Sequence, residues 1–198
     1  PTPSRESIEA VSRFLQEARV TGQLEHPSIV PVYELGRRRD GTLYYTMKLV
    51  RGRTLASAIR EAATMPSRLA LLSHFVDLCQ AIAYSHSRRV IHRDIKPANI
   101  LLEESVERVL ISDFGLARTV DDATLTRTGV VAGTPHYMSP EQATGQPVDH
   151  RSDLFSLGSS IYFMCTGRPP FRAEHALAIL NRICNDRHRP VDEVNSDI

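Results

Sequence analysis

Asp94, Lys96, Asn99 and Asp113 hold the densest reactive chemistry in the sequence. They lie in two short runs, His92-Arg93-Asp94-Ile95-Lys96-Pro97-Ala98-Asn99 and Ser112-Asp113-Phe114-Gly115. A carboxylate with a cation two residues on, followed by two more oxygen-bearing side chains, suits phosphoryl transfer. That reaction needs little covalent help; it needs an acceptor hydroxyl aimed, a metal held and the moving charge neutralised. Asp94 offers an acceptor for a hydroxyl proton, and Lys96 a positive charge beside it. Asn99 and Asp113 offer oxygens to Mg²⁺, a hard cation that prefers oxygen ligands. Either run alone would be weak evidence, but the two in this order, with these offsets, are unlike a chance pairing.

The elements that must position these residues can be read from apolar spacing. Ile8, Val11, Phe14, Leu15 and Ala18 recur at three- and four-residue steps, which predicts a helix over about 5–24, ended by His26-Pro27. Ile29–Leu35 and Leu43–Val50 read as two strands around the turn signal Asp40-Gly41. Thr54 is a candidate N-cap for a short helix to about Ala63. Met65-Pro66-Ser67 then breaks the chain before a long helix, about 67–87, with Leu69, Leu72, Phe75, Val76, Cys79, Ile82 and Ala83 on one face. Ile100–Leu102 and Val109–Ile111 suggest a small hairpin, and Ala117–Pro140 a loop rich in Thr and Gly. Helical pattern returns over Arg151–Cys165 and Ala173–Asn185, and the last dozen residues show no clear period. The spacing therefore predicts a small β-containing lobe joined at about Leu49–Gly52 to a mostly helical one.

With these residues placed, the chain closely resembles the eukaryotic-type serine/threonine protein kinase family, in its bacterial-type form. Lys96 following Asp94 is the form seen in serine/threonine rather than tyrosine kinases. The resemblance implies an α+β, two-lobe fold with a partial small β lobe (regulatory helix plus two strands) and an incomplete, mainly helical large lobe. Its boundaries would be 1–50 for the small-lobe remnant with the hinge and 51–198 for the large lobe. It implies transfer of the ATP γ-phosphate to Ser/Thr hydroxyls of a protein substrate, with ATP and Mg²⁺ as cofactors. Asp94, Lys96, Asn99 and Asp113 would be catalytic, with Asn99 and Asp113 the metal ligands. Glu17 would be the ion-pair glutamate of the regulatory helix and Met47 the gatekeeper. Lys48, Leu49 and Val50 would form the hinge, and Leu101 would join Lys96 and Asp113 in the cofactor-binding set. Thr134, in Gly133-Thr134-Pro135-His136-Tyr137-Met138-Ser139-Pro140-Glu141, would help select Ser or Thr acceptors. Ser139 replaces the family's usual alanine there, a small-for-small exchange expected to change little. Asp153 would accept hydrogen bonds from the catalytic-loop backbone, or else serve as a plain helix N-terminal acid. Arg93, before Asp94, implies control by activation-loop phosphorylation, with Thr126 and Thr128 the expected sites, Thr124 beside them and a merely flexible loop the alternative.

The sequence also departs from the family pattern. No G-x-G-x-x-G occurs, and the only lysines, Lys48 and Lys96, both follow Glu17. Glu17 is thus expected to lack a lysine partner, and Glu141 to lack the arginine that usually pairs with it, a costly omission for a partly buried carboxylate. The start at Pro1 points to a piece of a longer protein. These 198 residues alone are expected to have little activity. A non-catalytic pseudokinase or interaction module is the alternative reading; the retained Asp94, Lys96, Asn99 and Asp113 weigh against it. A nucleic-acid binder fits poorly, since 24 basic residues meet 23 acidic ones for a net charge of +1. Cys79, Cys165 and Cys184 form no C-x-x-C pair and read as reduced core thiols. With no apolar run of membrane-spanning length, a cytoplasmic location is expected, with any anchor outside this segment. Oligomeric state is not legible.

Overall fold

The computed structural model describes residues 5–104, 108–114 and 135–198. Helix α1 spans Arg5–Thr21 and stops at Gly22, three residues short of the expected end; Gly22 N–H closes the last turn on Ala18 O at 3.0 Å. Its Phe14 ring packs 5.1 Å from Tyr45 of the following hairpin. That hairpin consists of β1 (Val32–Arg37) and β2 (Leu43–Met47), antiparallel, with Leu35 opposite Tyr45. Its turn forms as Asp40-Gly41 predicts: Asp40 Oδ1 accepts Thr42 N–H at 2.9 Å, and Gly41 takes φ +87°.

The first strand begins later than expected. Ile29 and Val30 instead bridge to a strand that ends at Ile111, with Val30 N–H donating to Ile111 O and Ile111 N–H to Ser28 O. Their branched side chains are buried against the second sheet, which fixes this segment there rather than in the hairpin. That sheet has the order β3-β4-β5, formed by Gly52–Thr54, Ile100–Glu103 and Arg108–Ile111. Apolar spacing marks β3 only as part of a connection. It exists because Gly52 takes φ +150° and lies so close to Leu102 O that a Cβ would come within 1.9 Å.

Thr54 caps α2 (Leu55–Glu61), as expected, by accepting Ser57 N–H at 3.1 Å. The long helix expected over 67–87 is two helices, α3 (Met65–Leu69) and α4 (Leu72–Ser87). A reciprocal Thr64–Ser67 capping box starts α3, with Pro66 inside its first turn rather than before it. The break turns the apolar stripe: Leu69 is 50% exposed and Leu71 only 7%. The face that packs inward is therefore Leu71, Leu78, Ala81, Ile82 and Ser85, with Val76 left exposed.

Helix α5 is Pro140–Ala143, α6 His150–Thr166, α7 Ala176–Asn185 and α8 Val191–Val194. Asp149 caps α6, and Gly167 ends it at φ +68°. Helix α7 starts three residues later than expected, and α8 escapes detection by periodicity because one turn carries no period. The main core joins Leu55, Ile59, Leu78, Ile82, Ile95, Ile100, Ile111, Phe114 and Met164, directly beneath the reactive residues. Among the described residues no helix is long and apolar enough to cross a membrane.

Candidate active site

The loop from His92 to Asn99 is pinned from below by α6. Asp153 is 0% exposed; its Oδ2 accepts His92 N–H and its Oδ1 accepts Arg93 N–H, each at 2.8 Å. Two successive amides can converge on one carboxylate because Arg93 takes φ +67°, a left-handed conformation uncommon for arginine. His86 of α4 lies 2.7 Å from Asp153 Oδ2, so three groups share the carboxylate. From the other side Gln142 Nε2 donates to Arg93 O at 2.7 Å.

His92 locks the loop to the strand end that carries Asp113. Its Nδ1 accepts Asp94 N–H at 3.2 Å, so the proton sits on Nε2, which donates to Ser112 O at 3.1 Å. The ring is fully buried beside Phe114, centroids 4.5 Å apart. Burial pushes the His92 pKa below its ordinary value, against smaller opposing effects of Asp153, Asp94, the Ser112 carbonyl and Asp113.

Above this scaffold three reactive side chains meet. Lys96 Nζ donates to Asp94 Oδ2 at 2.7 Å, and Asn99 Nδ2 to the same oxygen at 3.0 Å and to Asp94 O at 2.9 Å. With its amide nitrogen spent on Asp94, Asn99 keeps its side-chain oxygen for another partner. Ser112 bridges to Asp113: its N–H donates to Asn99 O at 3.0 Å, and its hydroxyl lies 3.0 Å from Asp113 Oδ2. Asp113 is exposed and takes φ +58°, a strained backbone of the kind stored at functional sites. Among the described residues no group of three or more His, Cys, Asp and Glu side chains is arranged to hold a metal. An amide oxygen beside one carboxylate does fit Mg²⁺, which takes few protein ligands and completes its shell with water and phosphate oxygens.

The remaining expected site residues scatter more widely. Glu17 lies on α1, its side chain outside the described set. Met47 ends β2 and is exposed. Lys48 N–H donates to Pro31 O at 3.0 Å, and its ammonium pairs with Glu103 Oε1 at 2.5 Å, so this lysine is engaged away from Asp94. Among the described residues no backbone hydrogen bond involves Leu49 or Val50, leaving their main-chain groups available to a ligand. Leu101 alternates with the buried Ile100 and Leu102 and so faces away from that core. Thr126, Thr128 and Thr134 lie outside the described residues, as does Thr124.

Glu141 is not left without a partner. The Ser152 hydroxyl donates to Glu141 Oε1, and Ser139 Oγ donates to Ser152 Oγ at 3.1 Å. Ser139 is fully buried, caps α5 and feeds this chain of hydroxyls, so its exchange for alanine is not the neutral one expected. Sequence reasoning missed His86, Ser112, Gln142 and Ser152. None belongs to a spaced pattern; each matters through a neighbour distant in the chain or through a backbone carbonyl.

The protein kinase domain model matches residues 2–197. A probable serine/threonine-protein kinase of Corynebacterium efficiens is 42% identical, over 94% of this chain and 29% of the relative. Serine/threonine-protein kinase PknB of Mycobacterium leprae is 43% identical, over 84% of this chain and 27% of its own length. A probable serine/threonine-protein kinase of Clostridium perfringens is 37% identical, over 96% and 27%. The chain thus spans less than a third of the length of these curated relatives. With the domain matched almost end to end, this chain belongs to the protein kinase family.

Proposed function

We propose that the protein transfers the γ-phosphoryl group of ATP to serine or threonine hydroxyls of a protein substrate. The observation that carries this is the meeting of Lys96 and Asn99 on Asp94 Oδ2, on a loop pinned by buried Asp153. Asp94 orients the acceptor hydroxyl and takes its proton as the hydroxyl oxygen bonds to the γ-phosphorus. The bond to the β–γ bridging oxygen breaks, and ADP carries the electron pair away. Lys96 offsets the negative charge of the transferred group. Asn99 and Asp113 would hold Mg²⁺, which when bound neutralises phosphate charge. Met47, the Lys48–Val50 backbone and Leu101 would receive the adenine, with Glu17 on the regulatory helix. The small-lobe part would be 1–50 and the large-lobe part 51–198, an intracellular location being the reading that goes with ATP use.

The same loop supports a regulatory reading. Among the described residues, Arg93 Nε is buried without a hydrogen-bond partner. An orphaned guanidinium N–H on the residue just before Asp94 suits a phosphate on Thr126 or Thr128. Asp94→Asn and Asp113→Ala in the full-length protein should each nearly abolish transfer of radiolabel from ATP. Ordinary turnover in either variant would overturn these roles, and no transfer by the wild type would favour a pseudokinase. The 198-residue chain by itself should transfer little, because it contains no glycine-rich phosphate loop.

A further inference from the structure

A second polar concentration lies away from Asp94, where α6 gives way to α7. Arg168 and Arg172 come from the loop after Gly167, Arg182 from α7, and Arg187 and Arg189 from the segment beyond it. All five line one cleft of about 150 Å³, with Asp186 the sole carboxylate among the lining residues. The chain as a whole balances 24 basic side chains against 23 acidic ones, so this five-to-one excess is local.

The walls of the cleft are stiff. Phe171 packs with Ile179 and Ile183 in a separate small core and stacks on Phe155. His188 sets its ring edge-on to Tyr162 and Phe171, and the Tyr162 hydroxyl donates to Arg189 O at 3.0 Å. The charges are only loosely spent. Arg182 lies 3.8 Å from Asp186 and Arg189 3.6 Å from Glu193. Among the described residues Arg168, Arg172 and Arg187 have no carboxylate within ion-pair distance. Arg189 also donates to Glu193 O at 3.2 Å, which leaves Arg168, Arg172 and Arg187 as the unpaired charges of the cleft among the described residues. Like charges lining one cleft repel, and a compact dianion that takes paired N–H donors relieves that repulsion best. The cleft also joins the segment that follows Thr134: His136 Nδ1 lies 2.9 Å from Phe171 O. Gln142, further along that segment, holds Arg93 O.

We propose that this cleft binds a phosphorylated serine or threonine side chain on a polypeptide. Such a group is the product of the reaction proposed above, so the idea rests on that reading for its biological sense, though not for the binding itself. A duplex or single strand of nucleic acid is disfavoured because the chain as a whole is close to neutral, 24 basic side chains meeting 23 acidic ones. Two sources share the chemistry, a second phosphorylated copy of this chain and a different phosphoprotein.

The test is fluorescence anisotropy with the full-length protein, without nucleotide, using a labelled phosphothreonine peptide and its threonine and glutamate twins. The phosphopeptide should bind about tenfold more tightly than either twin, as several exposed charge pairs worth a few-fold each combine. The variant R168Q/R172Q/R187Q should erase that gap, whereas R37Q/R38Q/R39Q, with the same loss of charge on the β1–β2 hairpin, should leave it. The single Arg172→Glu should remove part of the gap and guards against misfolding of the triple variant. Equal binding of the three peptides, equal loss in both triple variants, or equal competition by a single-stranded oligonucleotide would each overturn the proposal. Sedimentation of the phosphorylated protein separates the sources, self-association sensitive to the cleft variant marking a second copy. Phosphopeptide binding by a protein that transfers no phosphate would sink the kinase reading alone. Transfer with no phosphopeptide preference would sink the cleft alone.

Discussion

Replacing Asp153 by asparagine tests whether one buried carboxylate organises the catalytic loop. Wild-type Asp153 accepts His92 N–H and Arg93 N–H and lies against His86, with no solvent exposure. In D153N the side-chain amide keeps one acceptor oxygen and presents a donor where the other stood. If that oxygen stays with Arg93, the His92 amide is left buried without a partner, at a cost of about 1–3 kcal/mol. Losing the charge from the remaining bond costs roughly another 1 kcal/mol. His86 can adjust by changing tautomer, so it adds little. The sum, about 3 kcal/mol, corresponds to a melting-temperature drop of roughly 6–12 °C for a chain of this size. Scanning calorimetry of wild type and D153N measures it, and radiolabel transfer should fall in kcat far more than in KM for the protein substrate. A variant melting within about 2 °C of wild type, or one with unchanged kcat, would refute the account of Asp153 as the loop's anchor.

Three further outcomes are expected. His92 is held neutral by burial, its pKa below the ordinary 6.5, so the unfolded chain binds the proton first. Stability is therefore full above pH 6.5 and falls on acidification by up to about 1.4 kcal/mol per pH unit until the native pKa is reached; denaturant melts from pH 7 to 5 should show that slope flattened in His92→Gln. Ser139→Ala removes the α5 cap and the donor to Ser152, at a cost of about 1–2 kcal/mol in the same melts. Mass spectrometry of the active protein should find phosphate on Thr126 or Thr128, and Arg93→Ala should remove the activity gained from it; both sites unmodified in an active sample would end the regulatory reading.

The parts of the site that are legible in the sequence are those whose chemistry and spacing are both local. Asp94, Lys96 and Asn99 fall within one loop, and the structure brings Lys96 and Asn99 onto one carboxylate oxygen of Asp94. The Asp40-Gly41 turn and the Thr54 cap are readable for the same reason, since each is fixed by residues two or three apart. Sequence and structure part where a distant contact decides. Apolar spacing misplaces the stripe on α4 because Leu71 turns into the core at a break that spacing does not mark. Ile29 and Val30 have strand-like side chains, but their bridge to β5 depends on Ile111, far along the chain. β3 depends on the close approach of Gly52 to Leu102 O, which a lone glycine does not announce.

The same distinction separates reaction from control. The atoms that would touch substrate are set by a short loop, so they survive as a motif of adjacent residues. What makes the loop adopt that shape is Asp153, about sixty residues on and reached through two backbone amides. What holds it from the other side is Gln142, through a carbonyl that any residue would supply. Backbone partners leave no trace in the identity of the residue they touch, which is why Gln142 carries no signal in the sequence. Ser139 and Ser152 go unnoticed for another reason: their partners are side chains more than ten residues away in the chain. The Arg93 backbone, strained to feed Asp153, leaves that residue's guanidinium N–H buried and unmatched among the described residues. One residue thus anchors the loop through its main chain and, in the regulatory reading proposed above, would offer its side-chain N–H to phosphate. A charge arriving at Arg93 would therefore act on the same peptide unit that positions Asp94, and the two need no longer path between them.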